Sequence, residues 1–345
     1  MKGNSKKGER VIDFPEVWEG INMRFQYIEQ AIHGGIFNKE GGRNGCEISS
    51  RGKAHPYSQL VYTPDGCKSW GEVKIGDTLF GDDGKLTTVV DIPFDDYTDV
   101  YKLTLKDGRV VYSSGNHLWN VWRSYSHGYK TMSTLEMMKD FARSRCKNYR
   151  NPNGIEYIYR IPNHKGVDFT SQQVPIDAYT FGLLLGDGSF RTPKLKNSFY
   201  YTSSDEDILT YKSIVPYPIR KMKNKMQYYI DFPNAKGVLE QLHLHMAKSE
   251  DKFIPDCYLF NSRQIRLNVL KGLMDSDGFV DSNGIPIIGV ASKRLADNIT
   301  FLARSLGYNC TQSIKQSGYK KDGRYIKCLD SHIVRIYTND RIFNL

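Results

Sequence analysis

LKGLMDSDG, residues 270–278, is an apolar stretch that ends in an acid and a glycine, and TFGLLLGDG, residues 180–188, repeats it ninety positions earlier. Each reads as a short apolar helix stopped by Asp-Gly, the glycine being suited to the turn that closes a helix. Setting Gly182 on Gly272 also sets Asp187 on Asp277, because 272 − 182 and 277 − 187 are both 90. Strand-like sequence follows each copy. The repeat predicts a pseudo-twofold α+β domain over residues 175–345, built from two similar halves.

Small residues recur four apart in both copies: Gly182 and Gly186, then Gly272 and Ser276. Four residues is about one helical turn, so each helix carries a small-residue stripe. Two such helices can lie side by side with their backbones close. Their ends then bring Asp187 and Asp277 together, and two carboxylates so placed repel unless a cation lies between them. Oxygen ligands with retained waters suit Mg²⁺. A metal held by two carboxylates can activate water and steady the leaving oxygen in an in-line attack on a phosphodiester.

LKGLMDSDG closely resembles the LAGLIDADG motif of homing endonucleases, and TFGLLLGDG resembles its first-copy variant, with Thr180 at the family's first, packing position. DKFIPD, residues 251–256, resembles the Lys-x-Ile-Pro block that precedes the second motif. GVASKRLADNITFLARSLGY, residues 289–308, resembles the helix block that follows it. The resemblance implies two αββαββα halves whose sheets lie over double-stranded DNA. It implies Asp187 and Asp277 as catalytic acids and Mg²⁺ ligands, Lys252 as the catalytic lysine, and site-specific double-strand cleavage. Base reading would come from side chains on the sheets, with Lys and Arg on the backbone.

Upstream, from about Val61 to Arg123, the texture is β. Asp65-Gly66, Asp83-Gly84 and Asp107-Gly108 are hairpin signals, and TTVVDI, DVYKLTL, RVVYSS and HLWNVWR are the expected strands. A short helix is expected at about 133–143. YTPDGCKSWGEVKIGDTLFGDDGKLTTVVDI, residues 62–92, resembles the first conserved block of an intein, and SSGNHLW, residues 113–119, its second, with Ser114 in place of the usual threonine. The resemblance implies an all-β, horseshoe-like Hint domain over 54–170. His117 would be the histidine that protonates and distorts the scissile amide during acyl transfer. The intein's first residue falls near Ala54, which has no nucleophile, and the sequence closes on RIFNL without the cyclising His-Asn pair. Splicing is therefore expected to need a complementary C-terminal fragment. Two alternatives to the endonuclease reading follow: a split-intein half, or a DNA-binding relic that no longer cuts.

Residues 1–53 then read as flanking host sequence, with a helix expected at roughly Phe14–His33. ISSRGKA, residues 48–54, resembles the phosphate-binding loop of phage terminase ATPases, but Glu47 stands where its first glycine should be and Ala54 where Ser/Thr should be.

Composition fits these readings. The 345 residues are 39% hydrophobic and 25% charged, enough for folded cores, and no run of 18 apolar residues offers a membrane span. The six cysteines, at 46, 67, 146, 257, 310 and 328, form no CxxC pair, against a structural zinc site. Of the net charge of +10, half lies in residues 281–345, where 10 basic residues face 5 acidic ones among several tyrosines. Such a surface suits a polyphosphate backbone. The expected setting is the cytoplasm of a cell hosting a phage or microbial mobile element.

Overall fold

The computed structural model describes residues 13–14, 18–19, 55–81, 83–92, 98–105, 107, 109–123, 128–145, 159–162, 165–191, 196–223, 226–316, 318–321, 324–327 and 329–345. They fall into two units, Met1–Asp168 and Phe169–Leu345. No helix among the described residues is long and apolar enough to cross a membrane.

The first unit runs β1 (Asp13–Phe14), β2 (Trp18–Glu19), β3 (Leu60–Thr63), β4 (Gly66–Ser69), β5 (Thr78–Phe80), β6 (Leu86–Thr88), β7 (Val100–Thr104), β8 (Val110–Ser114), β9 (Leu118–Arg123), β10 (Tyr129–Ser133), α1 (Thr134–Arg145) and β11 (Tyr159–Arg160). Its sheets have the orders β1-β7-β8 and β10-β9-β11-β2, with hairpins β3-β4 and β5-β6. Gly66 and Gly84 turn the two hairpins at φ of 144° and 77°, where a side chain would be strained. Alternation along β7 to β9 buries Tyr101, Leu103, Val111, Trp119 and Val121 in one small core. The expected helix is α1, entered by a reciprocal cap in which Ser133 N–H donates to Glu136 and Glu136 N–H to Ser133 Oγ.

Two sequence expectations need correcting here. Phe14 ends a strand that pairs in parallel with Lys102–Leu103, and Trp18–Glu19 pairs with Tyr159–Arg160, so no helix starts at Phe14. Pro15 explains this, since a residue before proline is pushed toward extended backbone. The remainder of the expected helix lies outside the described residues. TTVVDI forms a strand only as far as Thr88. Val89 leaves the hairpin to bond the preceding loop through Gly76 N–H and Asp77 O.

The second unit runs α2 (Ala178–Gly186), β12 (Gly188–Ser189), β13 (Ser198–Thr202), α3 (Asp205–Ile214), β14 (Ile219–Lys221), β15 (Gln227–Asp231), α4 (Ala235–Gln241), α5 (Asp256–Leu259), α6 (Arg263–Asp277), β16 (Gly278–Val280), β17 (Pro286–Val290), α7 (Lys293–Ser305), β18 (Asn309–Lys315), β19 (Gly318–Lys321), β20 (Arg324–Lys327) and β21 (Ser331–Tyr337). The first half, α2 to α4, is αββαββα. Its sheet order, β12-β13-β15-β14, is matched in the second half by β16-β17-β21-β18.

The second half departs from the expected αββαββα in two ways. A ribbon, β19-β20, is inserted between β18 and β21, and no helix follows β21 among the described residues. The backbone N–H groups of Asn344 and Leu345 instead donate to the Asp275 carboxylate on α6. A side chain thus takes amides that a helix would use, and Ile342 is buried in the core beside it. One continuous apolar core spans both halves, from Ile176 to Ile342.

Candidate active site

The site is built on α2 and α6. Asp177 caps α2 by accepting from the N–H and Oγ1 of Thr180 at 2.9 and 2.8 Å, so the Thr180 departure from the family pattern is absorbed by the cap. Ser262 caps α6 in the same manner. The small-residue stripes face each other. A β-carbon on Gly182 would meet Val269 O at 2.3 Å, and one on Gly186 would meet Ser276 Oγ at 2.0 Å. Glycine is required at 182 because backbone packs directly on backbone there, whereas Gly186 makes room for the Ser276 side chain.

That approach brings the two acids to adjacent helix ends. A β-carbon on Gly186 would also lie 3.0 Å from Asp277 Oδ2, which sets this carboxylate beside the residue that precedes Asp187. Burial first, and then the Asp277 charge, push the Asp187 carboxyl up to about 7. Burial raises Asp277 too, against the pull of Lys252. In both groups burial outweighs the positive charge of Lys252.

Lys252 is buried, and its ammonium takes the carbonyls of α2's last turn. Nζ donates to Leu185 O at 2.8 Å, Gly186 O at 3.0 Å and Gly188 O at 2.8 Å, with Leu184 O at 3.3 Å. Burial draws its pKa down to about 8, against the charges of Asp277 and Asp187. The cation therefore caps the end of α2 and acts on both acids through space. Ser292, the N-cap of α7, donates to Lys252 O at 2.7 Å and ties that helix to the same point.

A polar network behind the acids was not anticipated from the sequence. Tyr179 OH donates to Asp275 Oδ2 at 2.7 Å, Tyr211 OH donates to Asp275 O at 3.0 Å, and Asn344 N–H donates to Asp275 Oδ1 at 2.8 Å. The only signal for Asp275 was its place two residues before Asp277.

Among the described residues no three His, Cys, Asp or Glu side chains gather as a closed metal cage. Two carboxylates without a third ligand still fit a hard cation. Mg²⁺ is commonly held by one or two carboxylates, with waters and substrate phosphate completing its shell.

His117, in the first unit, is fully buried. Its ring lies 4.6 Å from that of His55 and 4.6 Å from that of Trp119. Thr134 fixes the group: its N–H donates to His117 O, and its Oγ1 accepts from Trp119 Nε1 at 2.8 Å. His55 Nδ1 faces Tyr112 O at 3.0 Å. Since a carbonyl only accepts, Nδ1 carries the proton. Burial draws the His55 pKa down to about 4, so this ring is neutral. The sequence reading gave His55 no role.

Residues 254–342 match the model of the homing endonuclease family. That span contains Asp277 and leaves out Asp187 and Lys252. The replicative DNA helicase DnaB of Mycobacterium intracellulare is 27% identical over 286 residues, which cover 77% of this chain and 44% of that protein. The chain thus spans under half of its relative's length. Among solved structures, mesophilic variants of the homing endonuclease I-DmoI overlap at a TM-score of 0.30 and 16% identity, over 48% of this chain and 90% of that one. The homing endonuclease I-WcaI bound to its DNA recognition sequence overlaps at 0.29 and 15%, over 47% and 74%. Overlaps this low carry no argument beside the family match. Residues 254–342 carry a homing endonuclease domain, and the enzyme class of that domain is DNA endonuclease.

Proposed function

We propose that the second unit binds a long double-stranded DNA site and cuts both strands in a Mg²⁺-dependent reaction at Asp187 and Asp277. One observation carries this reading: the two carboxylates sit at the ends of helices packed backbone to backbone, each with a raised pKa. A bound Mg²⁺ would supply Lewis acidity toward phosphate oxygen and lower the pKa of water. Asp187 and Asp277 would hold it and orient attacking water. Lys252 fixes the end of α2 and keeps positive potential beside both acids.

The test is cleavage of a plasmid bearing the host gene with the insert removed. Linear product in millimolar Mg²⁺, lost in EDTA and in Asp187→Asn and Asp277→Asn, is expected. Variants that cut as well as the parent overturn the assignment.

Residues 54–170 read as the N-terminal part of a Hint domain in which His117 acts on the bond before the Ala54–His55 pair. The buried His55–His117 contact favours this second reading. It predicts ligation when the chain meets a C-terminal fragment ending in His-Asn. Mass spectrometry showing no ligated product would count against it.

A further inference from the structure

The two sheets of the second unit are topological copies, yet their faces turned away from the helices differ in chemistry. In the second half, Cys310, Ile288, Val290, Val334 and Ile336 point into the core. Gln312 Nε2 donates to Ala296 O on α7, so β18 faces the helix at even positions. The alternate residues form the other face. Strand register aligns Phe279, Ile287, Arg335 and Thr311 in one row, and Gly289, Ile333 and Ser313 in the next. A β-carbon on Gly289 would meet Ile333 Cδ1 at 2.9 Å, which puts Ile333 on this same face.

The first half has the same two rows with different contents. Ser189, Tyr200, Tyr229 and Arg220 align in one, and Thr202 with Gln227 in the other. Ser189 corresponds to Phe279 by the ninety-residue offset. Arg220 is held by Asp231 and lies over the Tyr229 ring at 5.3 Å. Arg335 instead donates to the Ser313 hydroxyl at 3.3 Å.

Phe279 is 54% exposed, beside Ile287, which is itself only 4% exposed, on a sheet face that in a merely solvated surface would be polar. Two neighbouring strands of this sheet carry Lys315 and Arg335, and the ribbon inserted between them in the sequence adds Lys320, Lys321, Arg324 and Lys327. An apolar row among cations matches the major groove, where the thymine methyl is the apolar group between phosphate backbones. Resting on the DNA-cleaving reading above, we infer that the two halves discriminate bases by different chemistry. Phe279 reads a thymine methyl group in one half-site, while Tyr200, Tyr229, Thr202 and Gln227 read the other half-site by hydrogen bonding. The target is then asymmetric, with thymine dependence confined to one side.

The test uses the full chain with Ca²⁺ in place of Mg²⁺ to select duplexes from a randomised pool. The selected site is resynthesised with deoxyuridine for thymidine in one half at a time, which removes only the methyl groups. Binding is expected to weaken about fourfold per contacted methyl in one half and less than twofold in the other. Phe279→Ala should abolish that difference, and Tyr200→Phe should leave it intact. Equal sensitivity of both halves, no sensitivity in either, or a full deoxyuridine effect in Phe279→Ala would overturn the inference. A site cut in Mg²⁺ but blind to deoxyuridine overturns it while leaving the endonuclease standing. Recovery of no preferred duplex removes the DNA reading and this inference together.

Discussion

Gly182 and Gly272 meet across the helix pair: a β-carbon on Gly182 would lie 2.9 Å from the α-carbon of Gly272, and one on Gly272 would lie 3.0 Å from that of Gly182. The distance between the Asp187 and Asp277 ends of α2 and α6 is therefore set by two missing side chains.

Gly272→Ala is expected to destabilise the second unit by about 1–3 kcal/mol, because its methyl would press on Tyr179 O and neither backbone can yield alone. Cleavage should fall further than stability does, since the acids spread apart. Denaturant midpoints measured beside cleavage rates check both, and a neutral Gly272→Ala would show that the helices are not in register.

Lys252→Met is expected to cost about 3–5 kcal/mol, as the loss of a buried, hydrogen-bonded charge does. It also leaves four carbonyl oxygens at the end of α2 without their donor. Lys252→Arg should not restore the parent, because a planar fork cannot replace a point donor among these acceptors. Urea unfolding of the three proteins gives the comparison.

The pH dependence of metal-free stability follows from Asp187. Its folded-state pKa is raised from 3.8 to about 7, so the folded chain binds the proton more tightly than the unfolded one. This group's favourable contribution is complete below the unfolded value and is lost as pH climbs through about 7. Melting temperature should thus fall across that window without metal. Millimolar Mg²⁺ should oppose the fall, and Asp187→Asn should flatten it.

The first unit should respond in the opposite sense. His55 has its pKa lowered from 6.5 to about 4 by burial, so the unfolded chain takes up the proton first. Stability present above 6.5 should drain away as pH drops toward 4, by about 3 kcal/mol at most. His55→Phe should remove much of this acid sensitivity, as followed by tryptophan fluorescence.

Asp275→Ala should cost about 1.5–3 kcal/mol, since it removes a charged acceptor from Tyr179 and Asn344. Tyr179→Phe should cost less, and the double variant should be less than additive. Thermal melts of the three variants measure the coupling.

The parts of this site that the sequence disclosed are those written in local spacing. Asp187, Asp277 and the four small residues recur at helical intervals in both copies, so the helix pair could be read from the chain directly. Lys252 was recognisable only by resemblance, and its cradle of carbonyls was not, because its acceptors lie 64 to 68 positions away. Asp275 was passed over for the same reason, its partners Tyr179 and Asn344 being 96 and 69 positions distant. In the first unit the β pattern gave the strands from β7 to β9, while Pro15 defeated the helix expected from Phe14. The chemistry of the two sheet faces depended on register, which alternation alone does not provide.

Asp275 has no counterpart in the first copy, where the ninety-residue offset falls on Leu185, an aliphatic side chain buried at 1%. Two identical first halves joined as a homodimer would have no carboxylate to hold a chain tail. Two identical second halves would confront each other with a pair of extra acids beneath the cutting pair. The two repeats are thus alike in fold and in the helix pair, but only one supplies the carboxylate that holds residues 344–345.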